Sequence, residues 1–418
     1  MSEIRQSAPK RVVVIGAGAA GSMAAIHAAS AGAETMLVEG TRDGGRKILI
    51  SGGGRCNVLP SRVDESRFVT DSSPNVLRKM LRAWPLDEQI AFFERELGIP
   101  LVEEPEAAKL FPESNRARDV RDGLLALGKS RGMTLRTNTI VTGFGPIDGT
   151  WLVECDNGTS ITADALVVAT GGLSVPTTGS DGLGLRELAR LGHAMHPTYA
   201  ALTPLTANES PFSALSGISL TVTLDARDDA RAASATGGFL FTHHGYSGPA
   251  ALDVSHVAVR SRAESDGSAR VSVRWTTLGN AEWEVALRPQ GNRTVTGALR
   301  TVLPDRLASV LLTLAKVDPT RVLSELRRDE RLRLIETLVD GTLPWSGDEG
   351  YRKAEVTGGG VSLAEVDPRT MESRRHPGLY ICSEVLDAFG PIGGYNFLWA
   401  WATGRAAGLG AARGALSS

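Results

Sequence analysis

The residues from 44 to 57, GGRKILISGGGRCN, combine flexible backbone with positive charge. The stretch holds five glycines and three cationic side chains, and it shows neither helical nor strand periodicity. Glycines can adopt conformations in which successive N–H groups converge on an anionic oxygen, and cationic side chains attract the same oxygen. We therefore predict that the stretch binds phosphate. The residues expected to contribute are Gly45, Arg46, Lys47, Ser51, Gly52, Gly53, Gly54, Arg55, Cys56 and Asn57.

A second glycine cluster lies upstream, in RVVVIGAGAAG, where three glycines with GxGxxG spacing follow a β-branched apolar run. In a strand–turn–helix unit, the first glycine permits the turn, the second admits a pyrophosphate and the third lets the helix pack closely on the strand. We predict a helix over residues 19–31, whose N-terminus would face the pyrophosphate. The residues assigned to this contact are Gly16, Gly18, Ala19, Ala20 and Gly21.

The next predicted strand, ETMLVEG, ends at Glu39 and Gly40. A carboxylate at this point accepts hydrogen bonds from a ribose 2′-hydroxyl and repels a 2′-phosphate. The motif by itself fits FAD and NAD equally well. An NAD-binding domain usually continues directly into its next helix, whereas FAD enzymes of the glutathione-reductase-like class continue into a glycine-rich segment. The position of residues 44–57 just after Glu39 therefore favours a phosphate and flavin cradle over the alternative, a solvated flexible loop.

The composition of the chain is that of an ordinary globular protein. Its 418 residues are 42% hydrophobic and 22% charged, and the formal net charge is -2. This length predicts about two to three domains. The near-neutral charge gives no reason to expect nucleic acid or an acidic membrane surface as a partner. We therefore predict a small-molecule substrate, no nucleic-acid partner and no membrane, and we leave the oligomeric state open.

The three cysteines, Cys56, Cys155 and Cys382, form no CxxC pair and no metal-spaced cluster. This spacing argues against a disulfide framework, a structural zinc site and a dithiol redox centre. The apolar residues 11–33 resemble a signal peptide in part, but their glycines and the acidic strand end that follows argue against one. Since no run is long enough to span a bilayer, we predict a cytoplasmic protein.

The segment RKILISGGGRCN resembles the signature of the aminoacetone oxidase family of FAD-binding enzymes, which includes a bile-acid-reductase-like branch. The likeness recurs over nearly the whole chain, in residues 173–193, 241–255, 354–373 and 378–404. The resemblance implies an α/β fold with a Rossmann-like FAD-binding domain of the glutathione-reductase-like type, an inserted β-rich domain and a small helical domain. It also implies FAD as the cofactor.

The periodicity of the chain predicts where those domains lie. Short alternating runs over residues 198–290 predict a β-rich inserted substrate domain. Apolar i, i+3, i+4 spacing over residues 291–345 predicts a helical inserted subdomain. The FAD-binding domain would then be formed by residues 1–197 and by residues 346–418, which supply a return strand and the second part of the domain.

A strand that ends in ATGG is expected to return the chain to the FAD-binding domain. In flavoproteins with two dinucleotide-binding domains, such a strand end touches the dinucleotide. The residues assigned to this contact are Ala169, Thr170, Gly171 and Gly172. The resemblance also implies that the backbone of Val141 lies beside the adenine; the alternative is a sheet residue without a cofactor contact.

The C-terminal segment predicts a strand, a loop and a helix. A glycine pair would open the helix, whose N–H groups could face the flavin pyrimidine and stabilise the negative charge that develops there on reduction. Two carboxylates between strand and helix could hydrogen-bond the ribityl hydroxyls. The residues assigned to the cofactor are Glu384, Asp387, Gly393, Gly394, Tyr395 and Asn396. The family usually has Ala-Gly-Glu at residues 382–384, where this chain has Cys-Ser-Glu and so lacks the glycine.

His243 and His244 follow a predicted strand and precede a glycine-containing loop. The resemblance places this loop towards the flavin, so one of the imidazoles could bind substrate or move a proton; the alternative is that they cap or pack the strand end. Tyr395 could donate a hydrogen bond to a substrate carbonyl. No acidic residue lies beside the histidines at metal-ligand spacing, so we expect no metal site.

The predicted chemistry depends on what accompanies the flavin. With only one GxGxxG motif and no CxxC or CxxxxC, a disulfide relay is disfavoured. We predict an FAD-dependent oxidoreductase that transfers a hydride between a small organic substrate and flavin, which oxygen then reoxidises, as the resemblance to an aminoacetone oxidase implies. The alternative is an NAD(P)H-dependent enzyme in which a nicotinamide docks transiently and the flavin reduces a conjugated alkene. A non-catalytic FAD-binding or sensing protein is the third hypothesis.

Overall fold

The computed structural model describes residues 8–264 and 269–413. The chain forms two compact units. The first unit comprises the residues up to Thr198 and those from Val356 onwards, and the second comprises the intervening residues. The strands expected over 198–290 and the helices expected over 291–345 therefore both fall within the second unit. Their division into separate domains stays a prediction.

A parallel sheet forms the centre of the first unit. Its strand order is Leu379–Ile381, Ala165–Val168, Arg11–Ile15, Glu34–Val38 and Thr134–Arg136. Val12, Val13 and Val14 on successive, opposite faces of one strand are all buried, as expected where helices cover both faces of a parallel sheet. The predicted α/β class, with its Rossmann-like parallel sheet, is confirmed.

Two helices of the first unit pack backbone against backbone. The glycine-motif helix, Ala19–Ser30, contacts the C-terminal helix, Tyr395–Arg413. A Cβ atom at Gly408 would lie 2.1 Å from the carbonyl oxygen of Ala24. Gly404 approaches the same helix one turn earlier, where a Cβ atom would be 2.4 Å from a carbonyl oxygen. No side chain fits at these positions without moving a helix, so the glycines set the distance between the two helices.

The remaining elements of the first unit surround this core. One antiparallel sheet has the strand order Leu59–Pro60, Lys109–Pro112 and Leu101–Glu104, and another has the order Val141–Ile147, Thr150–Cys155 and Ser160–Ala163. The strands Met195–Ala201 and Val356–Val361 pair with each other. The other helices are Arg46–Ile50, Pro74–Arg82, Leu86–Ala91, Ala117–Ser130 and Leu183–Arg190. A π-helical turn is formed by Phe92–Glu96. The 3-10 turns are Ser51–Gly54, Glu65–Arg67, Pro105–Ala107, Pro176–Thr178, Leu363–Glu365 and Ser383–Val385.

The second unit is built on an antiparallel sheet. Its strand order is Gly341–Thr342, Arg270–Arg274, Ser219–Arg227, Ala232–Phe241, Gly245–Ser247, Leu205–Thr206 and Gly347–Asp348. Its helices are Pro249–Glu264, Asn280–Ala286, Val295–Leu299, Asp305–Leu314 and Arg328–Val339, with 3-10 turns at Ser213–Leu215, Leu323–Glu325 and Gly350–Arg352. Val222, Leu224 and Ala226 are buried while the residues between them are not, which is the alternation predicted for a sheet with one covered face. Phe241 and Trp275 stack in the core with ring centroids 5.9 Å apart.

The stretch from 44 to 57 is more regular than its sequence predicts. Arg46–Ile50 form a short helix and Ser51–Gly54 form a 3-10 turn, in which Gly52 and Gly53 have φ values of 55° and 67°. Left-handed glycines break the periodicity that would reveal such elements, and each helical piece is only about one turn long. The stretch is therefore a compact turn rather than an extended loop.

The length of the C-terminal helix raises the question of membrane insertion. It has 19 residues, close to the number that a bilayer requires. It also carries Arg405 near its middle and Arg413 at its end. Across residues 8–264 and 269–413, no helix is both long enough and apolar enough to cross a membrane.

Gly408→Ala should destabilise the protein. The added methyl group would collide with the Ala24 carbonyl, and we expect the free energy of unfolding to fall by about 2 kcal/mol. Gly123→Ala is the matched control, because its Cβ would meet only the ends of the Ile99 and Leu97 side chains, at 3.2 Å or more, and alanine favours a helix over glycine by about 1 kcal/mol. Chemical denaturation measures both variants, and equal midpoints would contradict the close helix contact.

Candidate functional site

Two of the three GxGxxG glycines pack closely against neighbouring backbone atoms, and the third lies beside open space. Gly16 has a φ of 99°, and a Cβ atom there would lie 2.6 Å from the carbonyl oxygen of Ala169. A Cβ atom at Gly21 would lie 1.8 Å from the carbonyl oxygen of Gly16. In contrast, a Cβ atom at Gly18 would meet nothing within 4 Å. The space at Gly18 is therefore where a ligand can approach the backbone, as the second glycine of the motif requires.

The glycine-motif helix begins at this open space. Its N-cap, Gly18, provides no side-chain cap, and its first turn carries no acidic residue. The N–H groups of Ala19 and Ala20 in the first turn of a helix have no partner within the helix, so this end carries partial positive charge. A pyrophosphate fits both the space and the charge.

Glu39 is positioned by the backbone around it. Its Oε2 accepts a hydrogen bond from the N–H of Ala17 at 2.8 Å. Its Oε1 accepts from the N–H and the hydroxyl of Thr41, at 2.8 and 2.6 Å. A carboxylate has about four acceptor positions, so capacity remains for the ribose hydroxyls predicted to bind here. Gly40 follows at the strand end, with a Cβ position 3.5 Å from the Ile140 side chain.

The start of the 44–57 stretch is anchored to the glycine motif. The N–H of Gly45 donates to the carbonyl of Ala17 at 2.8 Å. The aliphatic part of Arg121 covers Gly45, where a Cβ atom would be 2.4 Å from Cγ, and its guanidinium donates to the carbonyl of Gly44 at 3.3 Å. Arg46 instead pairs with an exposed carboxylate, Asp43. Arg121 is a positioning residue that no motif in the sequence indicates.

Lys47 belongs to a polar cluster, which consists of Lys47, Ser174, Thr357 and Glu384. The side chains of Lys47 and Glu384 are 29% and 12% exposed, so the pair is largely but not fully buried. The Nζ of Lys47 lies 2.6 Å from Oε2 of Glu384 and donates to the hydroxyl of Ser174 at 2.6 Å. The other carboxylate oxygen, Oε1, accepts from the Ser174 hydroxyl at 2.5 Å and from the N–H and hydroxyl of Thr357 at 3.0 and 2.9 Å. The cluster joins four segments that are distant in sequence.

The charge of Glu384 is stabilised by this cluster. Burial would raise the pKa of the Glu384 carboxyl, but the Lys47 ammonium and the hydroxyl donors outweigh burial and lower the pKa below its ordinary value. The predicted contact of Glu384 with the ribityl chain stays a prediction, since protein donors already occupy both of its oxygens. The sequence analysis found Lys47 and Glu384 separately but missed their pairing, as well as Ser174 and Thr357.

The end of the 44–57 stretch is held by small polar contacts. The Ser51 hydroxyl donates to the carbonyl of Ile48 at 2.8 Å. With its amide oriented to satisfy both groups, Asn57 donates to the carbonyl of Leu59 and accepts from the N–H of Gly394, at 3.2 and 3.0 Å. Asn57 therefore joins this stretch to the segment that precedes the C-terminal helix.

Cys56 and Arg55 have different environments. Cys56 is fully buried with a φ of 62°, and burial raises the pKa of its thiol to about 12. A thiol in this state is not a nucleophile, which agrees with a packing role. The guanidinium of Arg55 lies over the ring of Phe111 at 4.1 Å. The neighbouring Gly53 and Gly54 are exposed, so backbone N–H groups remain accessible there.

The ATGG strand end lies against the elements just described. Ala169 packs on the Gly16 turn, and a Cβ atom at Gly172 would collide with the Thr357 hydroxyl at 2.3 Å. Gly171 has a φ of 71°. These contacts place the strand end beside both the glycine motif and the Lys47 cluster. The remaining predicted residues of this region, Thr170 and Val141, are half-buried and buried respectively.

Hydrogen bonds and close backbone packing fix the segment before the C-terminal helix. The side-chain amide of Asn396 accepts from the N–H of Gly390 and donates to its carbonyl, both at 2.9 Å. A Cβ atom at Gly394 would lie 2.4 Å from the carbonyl carbon of Leu59. Gly393 and Gly394 have φ values of 121° and 91°, which favour glycine. The glycine pair therefore allows the chain to enter the helix against a neighbouring strand.

The side chain of Tyr395 already makes hydrogen bonds and a ring contact within the protein. It is buried, and its hydroxyl accepts from the N–H of Asp64 at 3.3 Å and donates to the carbonyl of Arg62 at 3.4 Å. Its ring packs against Phe68 with centroids 5.7 Å apart. A hydrogen bond from Tyr395 to a substrate carbonyl stays a prediction, and it would require these contacts to change.

Asp387 fixes the loop at residues 70–72 through hydrogen bonds to its side chain. Its Oδ2 accepts hydrogen bonds from the hydroxyls of Thr70 and Ser72, at 3.0 and 2.8 Å, and from the N–H groups of Asp71 and Ser72, both at 2.9 Å. Burial raises the pKa of Asp387, while the donor Ser72 and the nearby His196 oppose the rise. Its predicted ribityl contact likewise stays a prediction.

Ser383 keeps the backbone conformation of the glycine that the family usually has there. Its φ is 66°, in the region that favours glycine. Its N–H donates to the hydroxyl oxygen of Thr403 at 3.0 Å, and its carbonyl accepts from the indole N–H of Trp399 at 3.1 Å. The C-terminal helix thus holds the turn despite the substitution.

The two histidines lie in the second unit, on the short loop between Ala232–Phe241 and Gly245–Ser247. The hydroxyl oxygen of Thr242 accepts from the N–H groups of His244 and Gly245, at 3.2 and 3.0 Å. Both imidazoles are exposed and line a cleft of about 850 Å³ within this unit. Among the described residues, neither ring has a hydrogen-bond partner. The loop is therefore fixed by its backbone, which leaves the rings available.

Comparison with known proteins reveals a family. A model described as HI0933-like protein Rossmann domain matches residues 10–410. The chain is 32% identical over 406 residues to a ribosomal RNA dihydrouridine synthase from Escherichia coli, covering 94% of this chain and 95% of the relative. A protein of the same name from Haemophilus influenzae is 32% identical over 419 residues, covering 96% and 98%. A 3-dehydro-bile acid delta(4,6)-reductase from Clostridium scindens is 29% identical over 420 residues, covering 96% and 99%.

Solved structures agree with this fold. The 3-ketosteroid delta1-dehydrogenase from Sterolibacterium denitrificans covers 96% of this chain and 99% of its own length, with a TM-score of 0.53 and 11% identity. At this identity the likeness concerns the fold alone. It shows that a similar fold occurs in another protein over nearly the full length of both chains.

The prediction that excluded nucleic acid as a partner is wrong. Two relatives that match this chain over nearly its full length are named for ribosomal RNA. The prediction rested on a net charge of -2, which averages over the chain and does not report cations exposed at one place. Recognition of nucleic acid depends on that local distribution.

Gly18→Ala should weaken FAD binding without destabilising the protein. Gly18 has φ and ψ of -78° and -167°, which alanine adopts without strain, but the methyl group would occupy the space left for the pyrophosphate. We expect the Kd for FAD to rise about tenfold or more, equivalent to about 1.4 kcal/mol, with apoprotein stability unchanged. Titration of apoprotein with FAD measures the effect. Gly123→Ala, remote from the motif, should bind FAD as the unmodified protein does; equal affinities for both variants would contradict the assignment.

Glu384→Gln should destabilise the protein and change its response to acid. Since the pKa of Glu384 is lowered in the folded state, its contribution is present above the unfolded pKa of about 4.3 and is lost as the pH falls through the lower folded value. We expect the variant to lose about 2 kcal/mol at pH 7, because Lys47 loses its counter-charge, and to show a shallower loss of stability below pH of about 4.5.

The control for that variant is Glu104→Gln. Glu104 pairs with Arg55 at 3.4 Å, and both side chains are nearly half exposed, so its loss should cost at most about 0.5 kcal/mol. Denaturation at several pH values compares the two. Equal losses in both variants would show that the Lys47 cluster does not hold the site together.

The residues of the first unit fit the cofactor that the comparisons imply. An open, uncapped helix N-terminus would receive the pyrophosphate, and a fixed carboxylate, Glu39, stands at the adjoining strand end. The predicted resemblance is confirmed, with its bile-acid-reductase-like branch represented by the Clostridium scindens relative. The chain belongs to the HI0933-like Rossmann family of FAD-dependent oxidoreductases.

Proposed function

We propose that this protein reduces a carbon–carbon double bond conjugated to a carbonyl, in a uracil base of RNA, with electrons that a nicotinamide supplies through FAD. The observation that carries the proposal is the full-length similarity to two proteins named ribosomal RNA dihydrouridine synthase. RNA is preferred over a steroid as substrate because the relative named for a bile acid is less similar, at 29% identity against 32%.

The names of the three relatives describe one type of reaction. Dihydrouridine is uridine with two hydrogens added across C5 and C6, next to the C4 carbonyl. A delta(4,6) bile acid with a 3-keto group likewise contains alkenes conjugated to a carbonyl. In both, a hydride added at the carbon β to the carbonyl places negative charge on the carbonyl oxygen. A proton is then added at the α carbon. The balance is one NAD(P)H and one proton consumed for each double bond reduced.

When bound, FAD would accept a hydride from the nicotinamide and pass a hydride to the substrate. The chain's own contribution is position and charge. The Lys47 cluster fixes the segment beside the glycine motif, and the glycine pair before the C-terminal helix leaves a partially positive helix end. Glu39 selects a ribose with a free 2′-hydroxyl. The proton would come from His243 or His244, whose rings have no partner among the described residues.

The first hypothesis from the sequence, oxidation of a small organic substrate with oxygen as acceptor, has less support. None of the three relatives described above carries a name for such a reaction. The alternative from the sequence, reduction of a conjugated alkene by NAD(P)H, fits all three names. The non-catalytic hypothesis is disfavoured because the relatives are named as enzymes.

The test is turnover under anaerobic conditions. FAD-loaded protein is incubated with NADH or NADPH and a ribosomal RNA transcript, and nucleosides are analysed by mass spectrometry. We expect dihydrouridine to form with consumption of a nicotinamide, and to be absent with the Gly18→Ala variant at limiting FAD. Formation of no dihydrouridine, together with reduction of a 3-keto steroid alkene, would overturn RNA as substrate. Bleaching of the flavin by an amine alone, with peroxide formed in air, would overturn the reductase.

A further inference from the structure

The cleft beside the two histidines is lined by charged side chains of both signs. The residues that line it are Thr206, Ala207, Asn208, Glu209, His243, His244, Asp348, Glu349, Arg352 and Lys353. Arg352 and Lys353 are exposed, and among the described residues neither side chain forms an ion pair or a hydrogen bond. Two adjacent cations and two imidazoles thus face the cleft without partners.

Some exposed arginines of the second unit are paired, whereas Arg227, Arg274 and Arg288 have no side-chain partner among the described residues. Arg270 binds Asp340 at 2.7 Å, and Arg333 binds Asp329 at 2.9 Å. The free energy of an ion pair between exposed groups is small. Cations that remain unpaired beside a cleft are available to bind a ligand. The ligand class they favour is an anion with several charges, such as a series of phosphates.

The framework of the cleft is fixed by backbone pairing. Leu205–Thr206 lies between Gly245–Ser247 and Gly347–Asp348 in the antiparallel sheet. The N–H of Ala207 donates to the carbonyl of His244 at 2.8 Å. On the other side, the Asp348 carboxylate accepts from the N–H of Gly350 at 2.7 Å, which fixes the turn before the two cations. The histidine loop and the cationic turn therefore keep a constant separation.

The acidic residues of the cleft further restrict the class of ligand that it can bind. One oxygen of the Asp348 carboxylate accepts from the turn, and the side chains of Glu209 and Glu349 have no partner among the described residues. A compact anion such as inorganic phosphate would be repelled by these carboxylates. A ribose–phosphate chain suits the mixture, because its phosphates can bind the cations and its 2′-hydroxyls can donate to the carboxylates.

We infer that this cleft binds the sugar–phosphate backbone of the RNA substrate, with Arg352 and Lys353 as phosphate ligands beside His243 and His244. The inference rests on the proposed function. The phosphates of NAD(P)H offer the same chemistry, so the experiment must separate the two sources.

The test is a double charge reversal, Arg352→Glu with Lys353→Glu, in the FAD-loaded protein. Binding of a fluorescently labelled, uridine-containing RNA oligonucleotide is followed by anisotropy over a range of salt. We expect the Kd to rise about tenfold or more, and the salt slope to fall by about 1.4, which corresponds to two lost phosphate contacts on a single strand. Anaerobic flavin reduction by NADH and NADPH should keep its rate.

Arg274→Glu is the control, because it reverses another exposed cation of the same unit, at the end of the strand Arg270–Arg274; it should bind RNA with at most a small loss. Lys353→Arg should retain binding. Unchanged RNA affinity in the double variant would overturn the inference while dihydrouridine formation by the unmodified protein still supports the proposed function. Slower reduction by a nicotinamide with unchanged RNA affinity would assign the cleft to the dinucleotide and overturn the RNA inference. If the unmodified protein neither binds RNA nor forms dihydrouridine, the proposed function and this inference both fail.

Discussion

The ion pair between Lys47 and Glu384 is the interaction on which the cofactor-binding unit depends. The two residues are 337 positions apart, in the two separate chain segments that form the first unit. Ser174 and Thr357 bring two further segments to the same carboxylate. Because a buried ion pair is favourable only when its hydrogen-bonding capacity is satisfied, the four segments must meet with correct geometry or not at all. The pair therefore couples closure of the discontinuous unit to formation of the flavin cradle.

The glycines complement this polar constraint with a steric one. The glycine-motif helix and the C-terminal helix touch at Gly404 and Gly408, so the element predicted to bind pyrophosphate is placed by the element predicted to face the flavin pyrimidine. The two ends of the cofactor would then be held by helices in direct contact. A displacement of either helix would move both binding ends, which is why small residues rather than specific polar contacts occupy this interface.

Much of the first unit could be predicted from its sequence because local patterns dominate there. The β-branched run before Gly16 and the glycine spacing predict a strand, a turn and a helix, and these are observed. Arg121, Ser174 and Thr357 could not be found in this way, since each is a single polar residue whose partner is distant in sequence. The roles of Glu384 and Asp387 were also beyond the sequence, because a motif does not reveal how many of a carboxylate's acceptor positions the protein itself occupies. Net charge failed for a related reason, since it does not show that the side chains of Arg352 and Lys353 have no partner among the residues that the structure describes.

We propose that electrons stored on the bound flavin pass to a uracil base in RNA. The most direct measurement is a single turnover: the FAD-loaded protein is photoreduced without nicotinamide under anaerobic conditions and mixed with a ribosomal RNA transcript, while flavin absorbance is recorded. We expect the oxidised spectrum to return and dihydrouridine to form in an amount equal to the flavin reoxidised. A flavin that stays reduced with RNA, yet is reoxidised promptly by air, would contradict the proposal.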